Sequence, residues 1–451
     1  METTSHPFIK HPHRTLVGLS LPVLFSLTAE PITALVDTAF ISSLGVVSLA
    51  ALGVGTTALS SLFWMFNFLG VGTQTEIAQA FGRGETKGVK KTLSSALLLA
   101  LLFGILLIIL IGPGASWLAG LLGASGSVQS QAASYMKIRV FGAPAVLLTL
   151  VSFGALRGQQ DMKSPLWVAL GVNILNLILD WFMIFGRGPF PVMGVTGSAL
   201  ASTISQWLGA GASILLAAGK FGLTRQITLR ETSRLLTVGG DMFVRTGLLN
   251  LFLAYTTRTA NNLGADAGAA HQVIRQMWVF TALALDAFAA AVQSLVGYFI
   301  GQGSVSLAKH VSRIGFVWSI ATGVALGFLM WIGQEWVIKL MVPAESVDIF
   351  VGAWLVSVIS QPINAIAFLT DGVHWGTGDF RYLRNAMVIA SLLALAGLWL
   401  LGQSIPITLA WIWVIIGIWN SLRGLFGLLR IWPGIGNSIF RIKTDQDISP
   451  A

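Results

Sequence analysis

The chain has 451 residues, 55% of them hydrophobic and only 10% charged, where a soluble domain carries about 25% charged residues. The charge-free run TLSSALLLALLFGILLIILIGPGASWLAGLL at 92–122 exceeds the ~20 residues that cross a bilayer, which excludes a soluble globular protein. The net charge of +9 sits in short loops between apolar runs, a sign of membrane topology rather than of nucleic-acid binding, and the lack of cysteine excludes a disulfide frame or a cysteine metal site.

Twelve membrane spans are predicted, at 15–41, 48–73, 93–120, 129–156, 164–186, 194–218, 236–260, 266–299, 310–333, 347–374, 384–402 and 406–429. The first is too long for a signal-peptide core and has no small-residue cleavage site, so it is expected to be retained. Basic residues fall in alternate loops: Lys10 and Arg14 before span 1, Arg83 to Lys91 after span 2, Arg157 and Lys163 after span 4. The pattern continues with Lys220, Arg225, Arg230 and Arg234 after span 6, Lys309 and Arg313 after span 8, Arg381 and Arg384 after span 10, and Arg430, Arg441 and Lys443 at the end. Lys137 and Arg139, near the start of span 4, are the main exceptions. This alternation places both termini in the cytoplasm and the chain in the cell (inner or plasma) membrane.

The halves repeat at a shift of about 219 residues. QTEIAQAFGRG (74–84) aligns with QSLVGYFIGQG (293–303), and GALRGQQDMK (154–163) aligns with GVHWGTGDFR (372–381). The expected fold class is therefore an all-α polytopic membrane protein with two six-helix bundles related by a pseudo-two-fold axis along the membrane normal. The domain reading is an N-terminal lobe at 1–218, a cytoplasmic connector at 219–235, a C-terminal lobe at 236–430 and a cytoplasmic tail at 431–451.

Ionisable groups at bilayer depth cost roughly 2.5–3.5 kcal/mol each, so they need a reason. Span 1, in LPVLFSLTAEPITALVDTAFIS (21–42), puts Glu30, Thr33 and Asp37 on one helical face, and span 5 does the same with Asn173, Asn176 and Asp180. If the stripes meet, two carboxylates and amide oxygens converge in a low-dielectric pocket where both cannot ionise cheaply, and a proton or cation would relieve the pair. The alternative is a satisfied polar cluster that fixes helix packing. Pro22 and Pro31 each remove a helical hydrogen bond and kink the span, either statically or as a hinge for the titratable helix. In span 7, Asp241 and Arg245 are four apart and expected to pair with each other. Arg275, Asp286, Asp371 and His374 either line a second cavity or cap interhelical contacts.

The proline-bearing first helix with VDTAFIS, the loop GRGETKGVKK, LRGQQDMKSPLW, the NxxLD of span 5 and DGVHWGTGDFR together resemble the multidrug and toxic compound extrusion (MATE) family, in its DinF-type branch. The resemblance covers nearly the whole chain. It implies two six-helix bundles in a V shape and cation-coupled export of organic, often cationic or amphiphilic, compounds. Asp37, Asn176 and Asp180 match the family's cation or proton site, and a hydroxyl within GSALAST, between Ser198 and Thr203, completes it. Tyr135 matches a tyrosine facing the same lobe, and Glu30, Thr33 and Asn173 fall in the expected substrate cavity. Glu30 stands where relatives carry an amide. Span 7 offers Asp241 and Arg245 instead of a glutamate, which speaks against a second cation site.

The expected function is a cation-coupled antiporter exporting lipophilic drugs by alternating access, with H⁺ ahead of Na⁺ as the coupling ion; Asp37 and Asp180 would be the residues to hold Na⁺. No cofactor is expected. The expected partners are small organic cations or amphiphiles and membrane lipid, with no nucleic acid, and the chain is expected to be a monomer. A lipid or lipid-linked precursor flippase is the alternative. An enzyme is disfavoured because the chain lacks HExxH, GxSxG and a phosphate loop. A major-facilitator transporter is disfavoured because GRGETKGVKK lacks that family's aspartate and paired arginines.

Overall fold

Helix is the only regular structure among residues 6–227 and 229–441, the part described by this computed structural model. After a single turn at Pro7–Lys10, the long helices are α1 Pro12–Ser42, α2 Val46–Met65, α3 Phe68–Gly82, α4 Thr86–Leu121, α5 Gly126–Arg139, α6 Ala143–Gly158, α7 Lys163–Phe185 and α8 Val195–Phe221. They continue as α9 Leu229–Asn262, α10 Ala265–Gly301, α11 Val305–Ile332, α12 Gln334–Met341, α13 Val347–Ile359, α14 Gln361–Thr377, α15 Phe380–Ser404 and α16 Leu409–Ile431.

Ten of these segments are long and apolar enough to cross a membrane, with α2–α3 and α5–α6 each counting as one, and the bent pair α13–α14 makes up to eleven. The one remaining expected span, span 7 at 236–260, is helical within α9. Asp241, Arg245, Arg258 and a run of amides and threonines keep that helix below the apolarity of the others. Lys443 and the Arg230 side chain, used above in reading topology, lie outside the described part, as does the tail beyond 441.

The helices wear their bulk outward, as a lipid solvent requires. Along α4 the inward stripe includes Ser94, Ser95, Ala96, Ala100 and Gly104. Leu102, Ile109 and Leu110 on the other side are 53%, 63% and 58% exposed. Small inward residues let backbones approach, so packing replaces the hydrophobic effect that lipid removes.

The chain divides into two compact units, Phe25–Gly239 and Met1–Leu24 with Gly240–Ala451. The divisions fall inside helices: in α1 just after Pro22, and in α9 between Gly239 and Gly240. In the first unit a core gathers Ile41, Leu59, Met136 and Ile184. The second unit has one core around Phe252, Trp354 and Trp419. Its other core packs Phe299 and Leu369 with Phe8 from the first turn and Phe440 near the end of the described chain.

The sequence repeat marks the same helix contact made once in each unit. A Cβ on Gly154 would fall 2.3 Å from Gly70 O, and one on Gly158 2.7 Å from Gln74 O. In the second unit a Cβ on Gly372 would fall 2.4 Å from Ala289 O, and one on Gly376 2.7 Å from Gln293 O. The glycines repeat because α6 on α3, and α14 on α10, cross with backbones in contact. A second repeated device follows each glycine pair: Asp161 pairs with Lys220, and Asp379 with Arg430 at 2.7 Å.

Candidate functional site

Within the unit Phe25–Gly239, α1, α5, α7 and α8 bring a set of polar side chains together. Asp180, in the last third of α7, is fully buried, and Asp37, in the last third of α1, is partly buried. The two carboxyls are close enough to act directly on each other, and Ser198 of α8 stands beside Asp180. Asp37 Oδ1, both Asp180 carboxyl oxygens and Ser198 Oγ are buried with no hydrogen-bond partner outside this group among the described residues. Such oxygens at bilayer depth are costly unless a proton or a cation joins them.

Asn176 lies one turn before Asp180, is buried, and donates from Nδ2 to Ser202 Oγ at 3.2 Å. Of the hydroxyls between 198 and 203, Ser198 is therefore the one at the carboxylates, and Ser202 holds the amide. The Thr203 hydroxyl is turned away, donating to Ala199 O at 2.7 Å and lying 3.4 Å from Ile138 O. Thr33 is buried one turn before Asp37 and donates to Ala29 O at 3.1 Å. Glu30 is exposed, and Asn173 donates along its own helix to Ala169 O at 2.7 Å. Tyr135 is buried at the same site; its ring lies where a Cβ on Gly55 would come within 2.5 Å, so that glycine makes its room. Helix α1 is continuous through Pro22 and Pro31. Each proline leaves the carbonyl four residues earlier without its helical N–H.

One charged member of this group was read from sequence only as a topology exception. Arg139 is the last residue of α5 and lies well inside the Gly126–Gly158 span. Its Nη1 donates to Gln206 Oε1 at 2.7 Å, it engages Tyr135, and its charge acts on Asp37. The available signal was its depth, ten residues into the expected 129–156 span.

The second unit holds a different polar cluster. Asp241 and Arg245 do not pair with each other. Asp241 Oδ1 accepts from Arg384 Nη1 at 2.6 Å, while Arg245 pairs with Asp371 of α14. Both residues face neighbouring helices that offer a full countercharge, and this outweighs the few tenths of a kcal/mol of a pair along one helix. Asp371 also accepts from Arg423 of α16 at 2.8 Å. Among the described residues no group of three or more histidines, cysteines or acidic residues is placed to hold a metal ion.

A polytopic helical bundle with a repeated architecture and a carboxylate pair buried inside its spans is the build of a membrane transporter. The chain belongs to the MatE family, whose model matches residues 22–182 and 242–400. It is 31% identical over 445 residues to DNA damage-inducible protein F of Escherichia coli, covering 94% of this chain and 93% of that one. It is 30% identical over 430 residues to the chloroplastic Protein DETOXIFICATION 44 of Arabidopsis thaliana, covering 92% of this chain and 81% of that one. Its fold matches the outward-facing conformation of a multidrug resistance MATE family transporter at a TM-score of 0.86 and 20% identity, covering 97% and 100% of the two chains. The chain is thus a multi-pass membrane transporter of small molecules, not an enzyme. The family points to efflux of drugs or toxic compounds, and the flippase alternative finds no support in it.

Proposed function

We propose that the protein is a cation-coupled antiporter that exports lipophilic, often cationic, organic compounds by alternating access, with H⁺ as the coupling ion. The observation that carries this reading is the convergence of Asp37, Asp180 and Ser198, whose buried oxygens have only one another as neighbours to bond. A proton shared by the pair relieves both the desolvation and the repulsion of two carboxylates. Proton loading lowers the negative charge of the pocket, weakens its hold on a cationic substrate and favours a more bent α1. The ion acts only through its different affinity for the two conformations. Pro22 and Pro31 supply the places where α1 changes shape.

Sodium is the second reading, because Asp37, Asp180, Asn176 and Ser198 would offer it only hard oxygen donors. The guanidinium of Arg139 favours the proton, since it already supplies a fixed positive charge beside Asp37. Both termini and the 219–235 connector are placed in the cytoplasm, in the cell membrane, and the functional unit is taken as a monomer.

The test is ethidium export by the protein in liposomes with pH and sodium gradients imposed independently. A pH gradient without sodium is expected to drive export, and a sodium gradient at uniform pH is not. The reverse result assigns coupling to sodium, and no response to either removes the antiporter reading.

A further inference from the structure

A cleft of about 600 Å³ lies on the surface of the second unit, away from its buried charges. Val317 and Ile320 of α11 form one wall, and Trp432, just past the end of α16, forms the other. Ile366 of α14 and Leu428 of α16 line it too, half-buried and packed on the core around Phe299. The cleft exists because α11 and α16 each pack along α14 and make little contact with each other. Its lining is apolar except for Arg313, the one charged residue there.

Arg313 is exposed, stands two turns into α11 and makes no hydrogen bond or ion pair among the described residues. Lys309 lies one turn earlier on the same helical face. Trp432 is held against the Phe316 ring, with centres 5.3 Å apart, which sets an aromatic edge at the end of the spans where such rings meet headgroups. The sequence repeat supplies a comparison within the chain. At the shift of 219 residues Lys309 corresponds to Lys90, but Arg313 corresponds to Ser94. Ser94 is buried, and its Oγ accepts from the backbone N–H of Thr224 at 3.0 Å, so the chain leaving α8 covers that position. The first unit thus has a neutral, covered residue where the second has an open cation.

We propose that this cleft binds a phospholipid with an anionic headgroup, one acyl chain lying along Val317, Ile320 and Leu428 and the phosphate on Arg313. A volume of this size suits a single chain-like ligand, and its apolar lining suits hydrocarbon. The guanidinium fork matches a phosphate in two parallel hydrogen bonds, and a basic residue in a groove between spans is the usual seat of an acidic headgroup. A zwitterionic lipid carries its own cation beside the phosphate, so the single positive charge of the cleft favours a lipid with net negative charge. On the proposed topology the lipid comes from the cytoplasmic leaflet. Once seated, it ties α11 to α16, which otherwise meet through α14. The inference uses neither the coupling ion nor the exported compound, and it stands whether or not the exporter reading does.

The experiment is native mass spectrometry of the full-length protein released from detergent micelles, titrated with phosphatidylglycerol or with phosphatidylcholine of the same acyl chains. The first bound phosphatidylglycerol is expected to hold about fivefold more tightly than phosphatidylcholine, the effect of one basic side chain on an anionic headgroup. Arg313→Gln is expected to remove that preference. Val317→Trp fills the cleft and leaves the charge in place, and it is expected to weaken phosphatidylglycerol binding by a similar factor. Both variants change exposed side chains, so the fold is expected to survive them. Lys339→Gln removes an exposed positive charge of the same unit outside the cleft and is expected to leave the affinity unchanged. Equal binding of the two lipids, an unchanged preference in Arg313→Gln, an unchanged affinity in Val317→Trp, or an equal loss in Lys339→Gln overturns the proposal.

Discussion

Asp161 gathers several donors on one side chain in the loop between two spans. It lies in the loop between α6 and α7, where its Oδ1 accepts from the Lys163 and Ser164 backbone N–H groups at 3.2 and 3.0 Å. Its Oδ2 accepts from the Ser164 hydroxyl at 2.6 Å and pairs with Lys220 of α8. Burial alone would raise this carboxyl, but Lys220 and Ser164 outweigh burial and hold it below the usual carboxylate range. A carboxyl whose folded value lies below its unfolded one stabilises the fold above the unfolded value, about pH 4, and this contribution fades as pH falls through the folded value. Asp161→Ala is therefore expected to cost about 1–2 kcal/mol near neutral pH and progressively less below about pH 4. Thermal melts of the detergent-solubilised protein across pH check this, and a constant deficit down to pH 3 would contradict it.

At this scale the sequence was informative where chemistry and spacing coincided. Asp37, Asn176 and Asp180 stood out because carboxylates and amides recur at helical spacing in otherwise apolar runs. The choice between Ser198 and Thr203 did not, because three hydroxyls within six residues of α8 differ only in which way each turns. Arg139 was hidden by its nearness to a loop in sequence. The partner of Asp241 was hidden because local spacing says nothing about a countercharge on a helix over a hundred residues away.

At the scale of elements, the most readable feature was the glycine repeat, and its physical cause is backbone contact. Gly154 on α6 and Gly372 on α14 leave no room for a methyl group, whereas Gly211 on α8 has nothing within 4 Å of where its Cβ would stand. Gly154→Ala and Gly372→Ala are each expected to lower stability by about 2–3 kcal/mol through forced separation of the helices. Gly211→Ala is expected to be neutral or to stabilise by up to ~1 kcal/mol through helix propensity. The same melts distinguish these outcomes. A tolerated Gly154→Ala would mean that α3 and α6 separate freely. The span at 236–260, read from sequence as one of the apolar segments, is helical within α9 but less apolar than the others, and its Asp241 and Arg245 are matched by partners on α15 and α14.

For the whole molecule, the alternation of basic loops makes a definite statement about sidedness. The chain has no cysteine of its own, so single labels report cleanly. Arg225→Cys, in the proposed cytoplasmic connector, and Leu340→Cys, in the proposed outer loop after span 9, are expected to label from opposite sides in intact cells. Labelling of both from outside would break the topology on which alternating access rests. The fold class and family were legible because apolar length, charge alternation and the repeat are distributed along the entire chain. The pairing of α1 with α7 across more than a hundred residues became visible only in three dimensions.

The proposed mechanism rests most heavily on one carboxylate. Asp37→Asn keeps the size and hydrogen-bonding capacity of the protonated side chain but cannot exchange a proton. The variant is expected to fold and insert as the unaltered protein does, and to retain at most about a hundredth of the export driven by an imposed pH gradient in liposomes, the lower end of the loss when a group essential to proton transfer is removed. Export at the full rate would mean that Asp37 is structural and that the coupling ion binds elsewhere.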